Sequence, residues 1–506
     1  MTTETHATAG SQAPGMPVVV DGRLRSTNPG TGALVGEYPV AGPGEVRAAV
    51  TRARGAADWW GGLGFAGRAE RLRRWAAALA RRMPELARVV HADGGKPVSD
   101  ALLEVTAAVE HVAWSARNAR RVLGPRRVGG SLLMPDMGAV VEYQPFGVVG
   151  VIGPWNYPVF TPLGSIAYAL AAGNAVVFKP SEYTPAVGQW LVDSFAEVVS
   201  DAPVFQVVHG LGDTGAALCG SGVDKVAFTG STRTGKRVMA ACAETLTPVL
   251  VECGGKDAMI VDADADLDDA ADAACWAGMS NAGQTCVGIE RVYVLDAVAD
   301  EFVAKLKANA EALTVGDEDA DLGPITMPGQ VDIIRRHITD AVERGGTVVL
   351  GGPDAVQPPY VHPTILLDVP EDAAAVREET FGPTLTVTRV PSLDEAVRRA
   401  NATPYGLGSS VFSRRRAMAT ARRLRSGMTS VNSAMAFVAL PSLPFGGVGD
   451  SGFGRIHGAD GLREFTRPKA IARRRFRTPL PVLSFRRGRR TDEFVQRLVR
   501  FLHGRG

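Results

Sequence analysis

"FGVVGVIGPWNYPVFTPLGSIAYALAAGNAVVFKP", residues 146–180, decides the fold. From Tyr143 to Phe178 it carries no charge, as a membrane span would, but that stretch holds four prolines and five glycines. A spanning helix is not punctuated this way. The run reads instead as a buried strand ("FGVVGVI"), a loop ("GPWNYP"), a helix and a second buried strand ("NAVVFKP"). Outward from it, "VFQVVHG", "DKVAFTG" and "TPVLVE" continue the alternation with helical stretches between them. Short apolar runs joined by helices make a parallel sheet covered on both faces. Residues 146–252 are therefore expected to form a doubly wound, Rossmann-like α/β domain that binds a nucleotide.

At 506 residues the chain is too long for one core. Residues 43–122, rich in Ala and Arg at helical spacing, are expected to pack on that sheet, and 126–144 reads as a hairpin. A second α/β series begins at "AMIVDADADLDDAADAACW" and runs to residue 432. A formal charge of +2 gives no general case for nucleic-acid binding. Five cysteines without metal-like spacing argue against both a disulfide framework and a zinc site, so no metal is expected and a reducing cytoplasm is the simplest home. Residues 1–16 read as a disordered leader, not a signal peptide.

"SNAGQTCVGIERV" (280–292) presents Cys286 among small residues ahead of an apolar run, as either a buried filler or a nucleophile. "VECGGKD" ends a strand at Glu252, either a structural acceptor or a base whose pKa burial would raise. "GPWNYP" puts Asn156 beyond a strand's carboxyl end, as a turn residue or an oxyanion donor. "DKVAFTGSTRTGKRV" is a strand, glycine turn and helix start that suits a dinucleotide phosphate. Its Gly230, Gly235 and Lys236 imitate a P-loop, but Arg237 stands where a magnesium-binding Ser or Thr is needed. "GDSGFG" (449–454) imitates a serine-protease loop, without the secreted, disulfide-bonded setting, and reads as a turn.

With "KPSEYTP", "EETFGP", "YGLGSSVFS" and "PFGGVGDSGFGR" added in order, residues 25–475 resemble the aldehyde dehydrogenase superfamily. The resemblance implies oxidation of an aldehyde to its acid with NAD(P). Cys286 would attack the carbonyl, Asn156 and the Cys286 amide would hold the oxyanion, and Glu252 would activate water against the thioester. It implies cofactor contacts at Ile152, Pro154, Trp155, Lys179, Ser181, Glu182, Gly230, Ser231, Thr234, Gly254, Glu379 and Phe381. Glu182 would accept from a free ribose 2′-hydroxyl and repel a 2′-phosphate, which favours NAD, with NADP the alternative. The implied division is a cofactor domain (17–125 and 145–252), a catalytic domain (253–455) and an oligomerisation part (126–144 and 456–478), in a homodimer or homotetramer. An acylating, coenzyme A-dependent relative would lack Glu252, and a retired structural member would have lost Cys286 or Glu252.

Departures from the family pattern bear on the substrate. Ile456 stands where many members have a Glu, and Cys253 replaces the usual Leu after the base. Gly164 and Ser280 stand where succinate-semialdehyde enzymes often carry arginines. "PFGGVGDSG" followed by "HG" resembles the class 3 and coniferyl-aldehyde-type enzymes, implying an apolar aliphatic or aromatic aldehyde. "SNAGQTCVGIERVYV" and "GADGLREFT" are also similar to a bacterial succinate-semialdehyde subgroup, the alternative substrate class. Residues 479–506 form a basic tail in which Phe494, Leu498, Phe501 and Leu502 share a helix face. That pattern suits either a peripheral membrane contact or packing on the enzyme's own dimer.

Overall fold

The Val148–Ile152 strand is buried along its whole length, as its VVGVI sequence demands of a strand covered on both faces. In the computed structural model, which describes residues 15–478 and 482–504, this strand is central to a parallel sheet. The order across it is Phe205–Val207, Ala175–Lys179, Val148–Ile152, Lys225–Gly230, Val249–Cys253. All four pairings are parallel. The chain winds outward from Val148–Ile152 in one direction, returns, and winds outward in the other. This is the expected doubly wound, Rossmann-like sheet, with its switch point between Val148–Ile152 and Lys225–Gly230. Gly452–Phe453 adds an antiparallel edge by pairing with Val251 and Glu252.

The helix Phe160–Ala172 is buried at every position and stops at Gly173, whose φ of 107° suits a left-handed cap. Enclosure on all sides explains a helix that is apolar all round without being a membrane span. Among the described residues no helix is long and apolar enough to cross a membrane. Of the helices Pro43–Gly62, Gly64–Arg81, Met83–Gly94 and Val98–Leu123, expected to pack on this sheet, the first does so, while the other three pack chiefly on one another and on the Phe160–Ala172 and Pro185–Ala196 helices. Trp60 and Trp75 are fully buried there. Each indole N–H is satisfied, by the Leu170 carbonyl at 2.8 Å and the Ser194 hydroxyl at 3.0 Å.

A second sheet has seven strands: Thr347–Leu350, Thr364–Leu367, Thr384–Val390, Ile289–Leu295, Asp257–Val261, Ser409–Phe412 and Ser430–Val431. Only Thr347–Leu350 runs antiparallel to its neighbour. Cys286 lies just before the central strand of this sheet. The third region is small and all β. Arg126–Val128 pairs with Met137–Pro145 as the hairpin reading expects, and Thr466–Arg474 pairs along the other side. An N-terminal antiparallel sheet, Val18–Val20, Arg23–Thr27 and Leu34–Pro39, was not foreseen. Apart from Gly15 and Met16, the expected leader lies outside the described residues. In the tail, Arg489–His503 is helical.

Candidate active site

The loop that carries Asn156 is fixed by its junction with the Phe160–Ala172 helix. Glu104 accepts from the Val159 and Phe160 amides at 2.8 and 3.0 Å, which satisfies the first donors of that helix. Lys96 pairs with the same carboxylate at 2.5 Å and sits 3.7 Å from the centre of the Tyr157 ring. The buried Asn156 amide donates to the Gln284 carbonyl at 2.9 Å, two residues before Cys286. Asn281 bridges the same two loops, donating to the Asn156 and Gln284 carbonyls, each at 3.1 Å. Gln284 accepts from the Thr326 amide at 2.8 Å and donates to Asn281 O at 3.0 Å. Asn281 and Ala282 adopt left-handed φ values of 52° and 53°. This turn is thus pinned by side-chain amides that sequence reasoning passed over.

From Ser280 to Leu295 every residue is buried except Cys286. Cys286 is half-buried, and its surroundings are hidden. Burial raises the Cys286 pKa well above its ordinary value, and the charges of Glu252, Glu379 and Asp257 add to the effect. Neither carboxylate oxygen of Glu252 has a hydrogen-bond partner, although both are buried. Burial, reinforced by Glu379, pushes the Glu252 pKa up to about 8, with Thr229 only partly opposing it. A carboxylate poised there can take a proton near neutral pH.

Gly254 and Gly255 leave room for what lies against them. A side chain at Gly254 would put its Cβ 1.9 Å from a Glu379 oxygen, and one at Gly255 would come 2.9 Å from the Cys286 carbonyl. Glu379 accepts from the Gly255 amide at 2.9 Å. Its pKa too is raised to about 8, chiefly by burial and then by Glu290. Beneath it lies a buried cluster. Lys256 pairs with Glu290 and donates to the Thr380 hydroxyl at 3.1 Å. Glu290 also accepts from the amides of Thr380 (2.8 Å) and Phe381 (3.0 Å). This cluster holds the Glu379–Phe381 loop. The signal for it was a lone acid inside an apolar strand, "GIERVYVL".

The residues expected at a cofactor converge on the switch-point crevice. Ile152 ends the central strand with Pro154 and Trp155 just beyond it, Lys179 ends its neighbour with Ser181 and Glu182 beyond it, and Gly230 ends the strand on the other side. Lys179 pairs with Glu182 at 2.9 Å. Ser231 caps the Thr232–Ala243 helix by accepting from the Thr234 amide, so that helix N-terminus opens on the crevice. Gly235 lets the helix close on the sheet, since a Cβ there would sit 3.0 Å from Cys253 Sγ and from Val251. Phe381 comes from the other lobe and meets Trp155 edge-on at 5.4 Å. These features fit a dinucleotide: a capped helix start for a pyrophosphate, a carboxylate for a ribose, and aromatic rings at the lobe junction. Lys236 is exposed, 3.8 Å from Asp450. Ser451 is fully buried, accepts from the Gly406 amide and donates to the Gly254 carbonyl at 2.7 Å. It serves the glycine pair and is no nucleophile.

The profile of the aldehyde dehydrogenase family matches residues 19–471. The chain belongs to the aldehyde dehydrogenase family. It is 38% identical over 461 residues to 4,4'-diapolycopene aldehyde oxidase of Methylomonas sp, covering 90% of this chain and 87% of that one. It is 36% identical to glutarate-semialdehyde dehydrogenase of Pseudomonas putida, covering 88% and 94%. An NADP-dependent enzyme of E. coli, solved by crystallography, superposes with a TM-score of 0.86 at 34% identity, covering 89% of this chain and 94% of that one. This aldehyde dehydrogenase is an enzyme of the oxidising, NAD(P)-using kind, carrying the fold of its family: a Rossmann-like cofactor-binding part, an α/β catalytic part and a small β region.

Proposed function

We propose that this enzyme oxidises an apolar aliphatic or aromatic aldehyde, with Cys286 as nucleophile, Asn156 and the Cys286 amide as oxyanion donors, and Glu252 as the base that activates water. The observation that carries the reading is Glu252, a buried carboxylate with no well-formed hydrogen bond on either oxygen, near the half-buried Cys286. A group left unsatisfied at that depth costs stability and calls for a chemical reason. One Asn156 N–H is used on Gln284, which orients the amide and leaves its second hydrogen for an oxyanion. Donors of this kind are typically worth about 3 to 4 kcal/mol each. Bound NAD(P) supplies the hydride acceptor. Lys179, Ser181, Glu182, Gly230, Ser231, Thr234, Gly254, Glu379 and Phe381, with Ile152, Pro154 and Trp155, would hold it. Glu182 favours NAD, with NADP as the alternative.

The substrate class rests on what is packed around the Phe160–Ala172 helix, which follows the Asn156 loop. A Cβ at Gly164 would lie 2.5 Å from His457 Nε2 and 2.9 Å from Ile456 Cδ1, so no arginine fits there without repacking. His457, Phe445, Phe437 and Ile456 are buried, and burial together with His111 lowers the His457 pKa well below its ordinary value. A neutral, aromatic surrounding suits an apolar tail. The likeness to a glutarate-semialdehyde dehydrogenase favours a second reading, an aldehyde with a distal carboxylate, the class that includes succinate semialdehyde.

We divide the chain into the cofactor domain (17–125 and 145–252), the catalytic domain (253–455) and an oligomerisation part (126–144 and 456–478). The Thr466–Arg474 strand is exposed over most of its length, which suits a surface covered in a homodimer or homotetramer, and a cytoplasmic site suits the free cysteines. The test is steady-state kinetics over aliphatic, aromatic and carboxylate-bearing aldehydes, with NAD and NADP separately. The expected result is the highest kcat/KM for an apolar aldehyde with NAD. Turnover confined to semialdehydes would transfer the assignment to the second reading, and no turnover of any aldehyde would defeat both.

A further inference from the structure

We propose that the C-terminal arm, Val482 to Gly504, docks this enzyme on an anionic lipid surface. The arm holds six arginines and two carboxylates, Asp492 and Glu493. Both acids are engaged within the arm, by Arg487 at 3.9 Å and Arg489 at 2.9 Å. The helix Arg489–His503 has no buried residue. Its apolar side chains are nevertheless large: Phe494 is 47% exposed and Phe501 70% exposed. Ahead of the helix, Leu483 and Phe485 are 76% and 110% exposed.

The arrangement of charge and apolar surface selects the occupant. Phe494 and Phe501 stand seven residues apart, and so do Arg490 and Arg497. At 100° per residue all four fall within an arc of about 60°. Aromatic rings bordered by guanidinium groups can enter the boundary between headgroups and acyl chains while the cations meet phosphates. The arm carries +4 of a chain whose total is +2, so the remainder is net −2. Even so, the helix is not buried against that oppositely charged body. Two such arms on separate copies would repel one another. A surface of anionic phospholipid satisfies both the charge and the exposed rings. This docking is independent of the chemistry proposed above.

The test is flotation of the full-length protein with vesicles of phosphatidylcholine alone and of phosphatidylcholine mixed with phosphatidylglycerol. The expected result is binding to the mixed vesicles only, falling steeply as salt rises. Phe494→Ser with Phe501→Ser should reduce the bound fraction by about tenfold or more. Arg490→Glu with Arg497→Glu should reduce it comparably. The solution mass by light scattering and the oxidation of a soluble aldehyde should stay unchanged in both variants, which separates this result from any failure of the enzymatic reading. Three outcomes would overturn the proposal: no flotation with the mixed vesicles, flotation that survives both double substitutions, or a fall in solution mass that makes the face a subunit contact. A chain ending at Arg477 gives the same readings should a double variant fail to fold.

Discussion

Glu252 and Glu290 are both buried, 3% and 5% exposed, and both lie close to the Cys286 turn. Their surroundings are opposite. Glu290 meets a buried ammonium, Lys256, and the amides of Thr380 and Phe381. Glu252 has no well-formed hydrogen bond on either oxygen, and only the Thr229 side chain is near enough to favour its charged form. A carboxylate with a full set of donors is a structural part, because removing any partner leaves another charge stranded. A carboxylate with none is held in readiness to change its protonation state. The same side-chain type therefore builds the wall in one place and is proposed to do chemistry in the other.

The first way to break this contrast is at the sulfur. Cys286→Ala should lower aldehyde oxidation by about 10⁴-fold or more while cofactor binding, followed by fluorescence titration, is retained. Substantial turnover in that variant would remove the nucleophile and, with it, the reason for an unpaired acid beside it. Glu252→Gln should cost about 10²- to 10⁴-fold in steady-state rate. It should leave a single burst of reduced cofactor and an acylated Cys286 visible by intact-mass measurement. In the wild type the rate should climb with pH about an apparent midpoint near 8, since Glu252 is raised to about 8, and that limb should vanish in the Gln variant. A normal profile without Glu252 would assign the base elsewhere.

The structural half of the contrast is tested by stability. Glu290→Ala strands the Lys256 ammonium and the Thr380 and Phe381 amides, and should lower unfolding free energy by about 3 to 5 kcal/mol, read by thermal or urea denaturation. Glu252→Ala strands no charged partner, only the Thr229 side chain, and should be neutral or stabilising at pH 8. If the two variants lost equal stability, the distinction between a wall and a reactive group would be false.

How far each was legible in the sequence follows from the same contrast. The strand and helix alternation around residues 146–252 was readable because apolar runs, prolines and glycines act locally. Cys286, Glu252 and Asn156 were nameable because each sits at a glycine- or proline-marked strand end. The partners were not. Gln284 and Asn281 were inside a quoted motif, yet their role depends on Asn156 and Thr326 arriving from distant parts of the chain. Lys256 and Glu290 are separated by 34 positions, and only the folded sheet makes them neighbours. The leading sheet of Val18–Val20, Arg23–Thr27 and Leu34–Pro39 escaped because its strands are short and bury only Leu24 and Ser26, so they show little apolar alternation.

The smallest expected effect is a pH dependence of folding in the cofactor-free enzyme. Glu252 and Glu379 are each raised from the ordinary carboxylate value of 4.5 to about 8. At pH below 4.5 both are protonated in the folded and unfolded chains, and neither favours one state. Between pH 4.5 and 8 the folded chain keeps protons that the unfolded chain releases. Stability attributable to this pair should therefore fall as pH rises through that window, and level off above pH 8. The two sites repel, so their effects do not simply add. Urea titrations from pH 5 to pH 9 on wild type and Glu252→Gln would measure it, the variant showing a shallower decline. A stability that instead rose through neutral pH, with no difference between the two proteins, would mean that Glu252 is solvated in the folded enzyme and that its isolation, on which the proposed chemistry depends, does not exist.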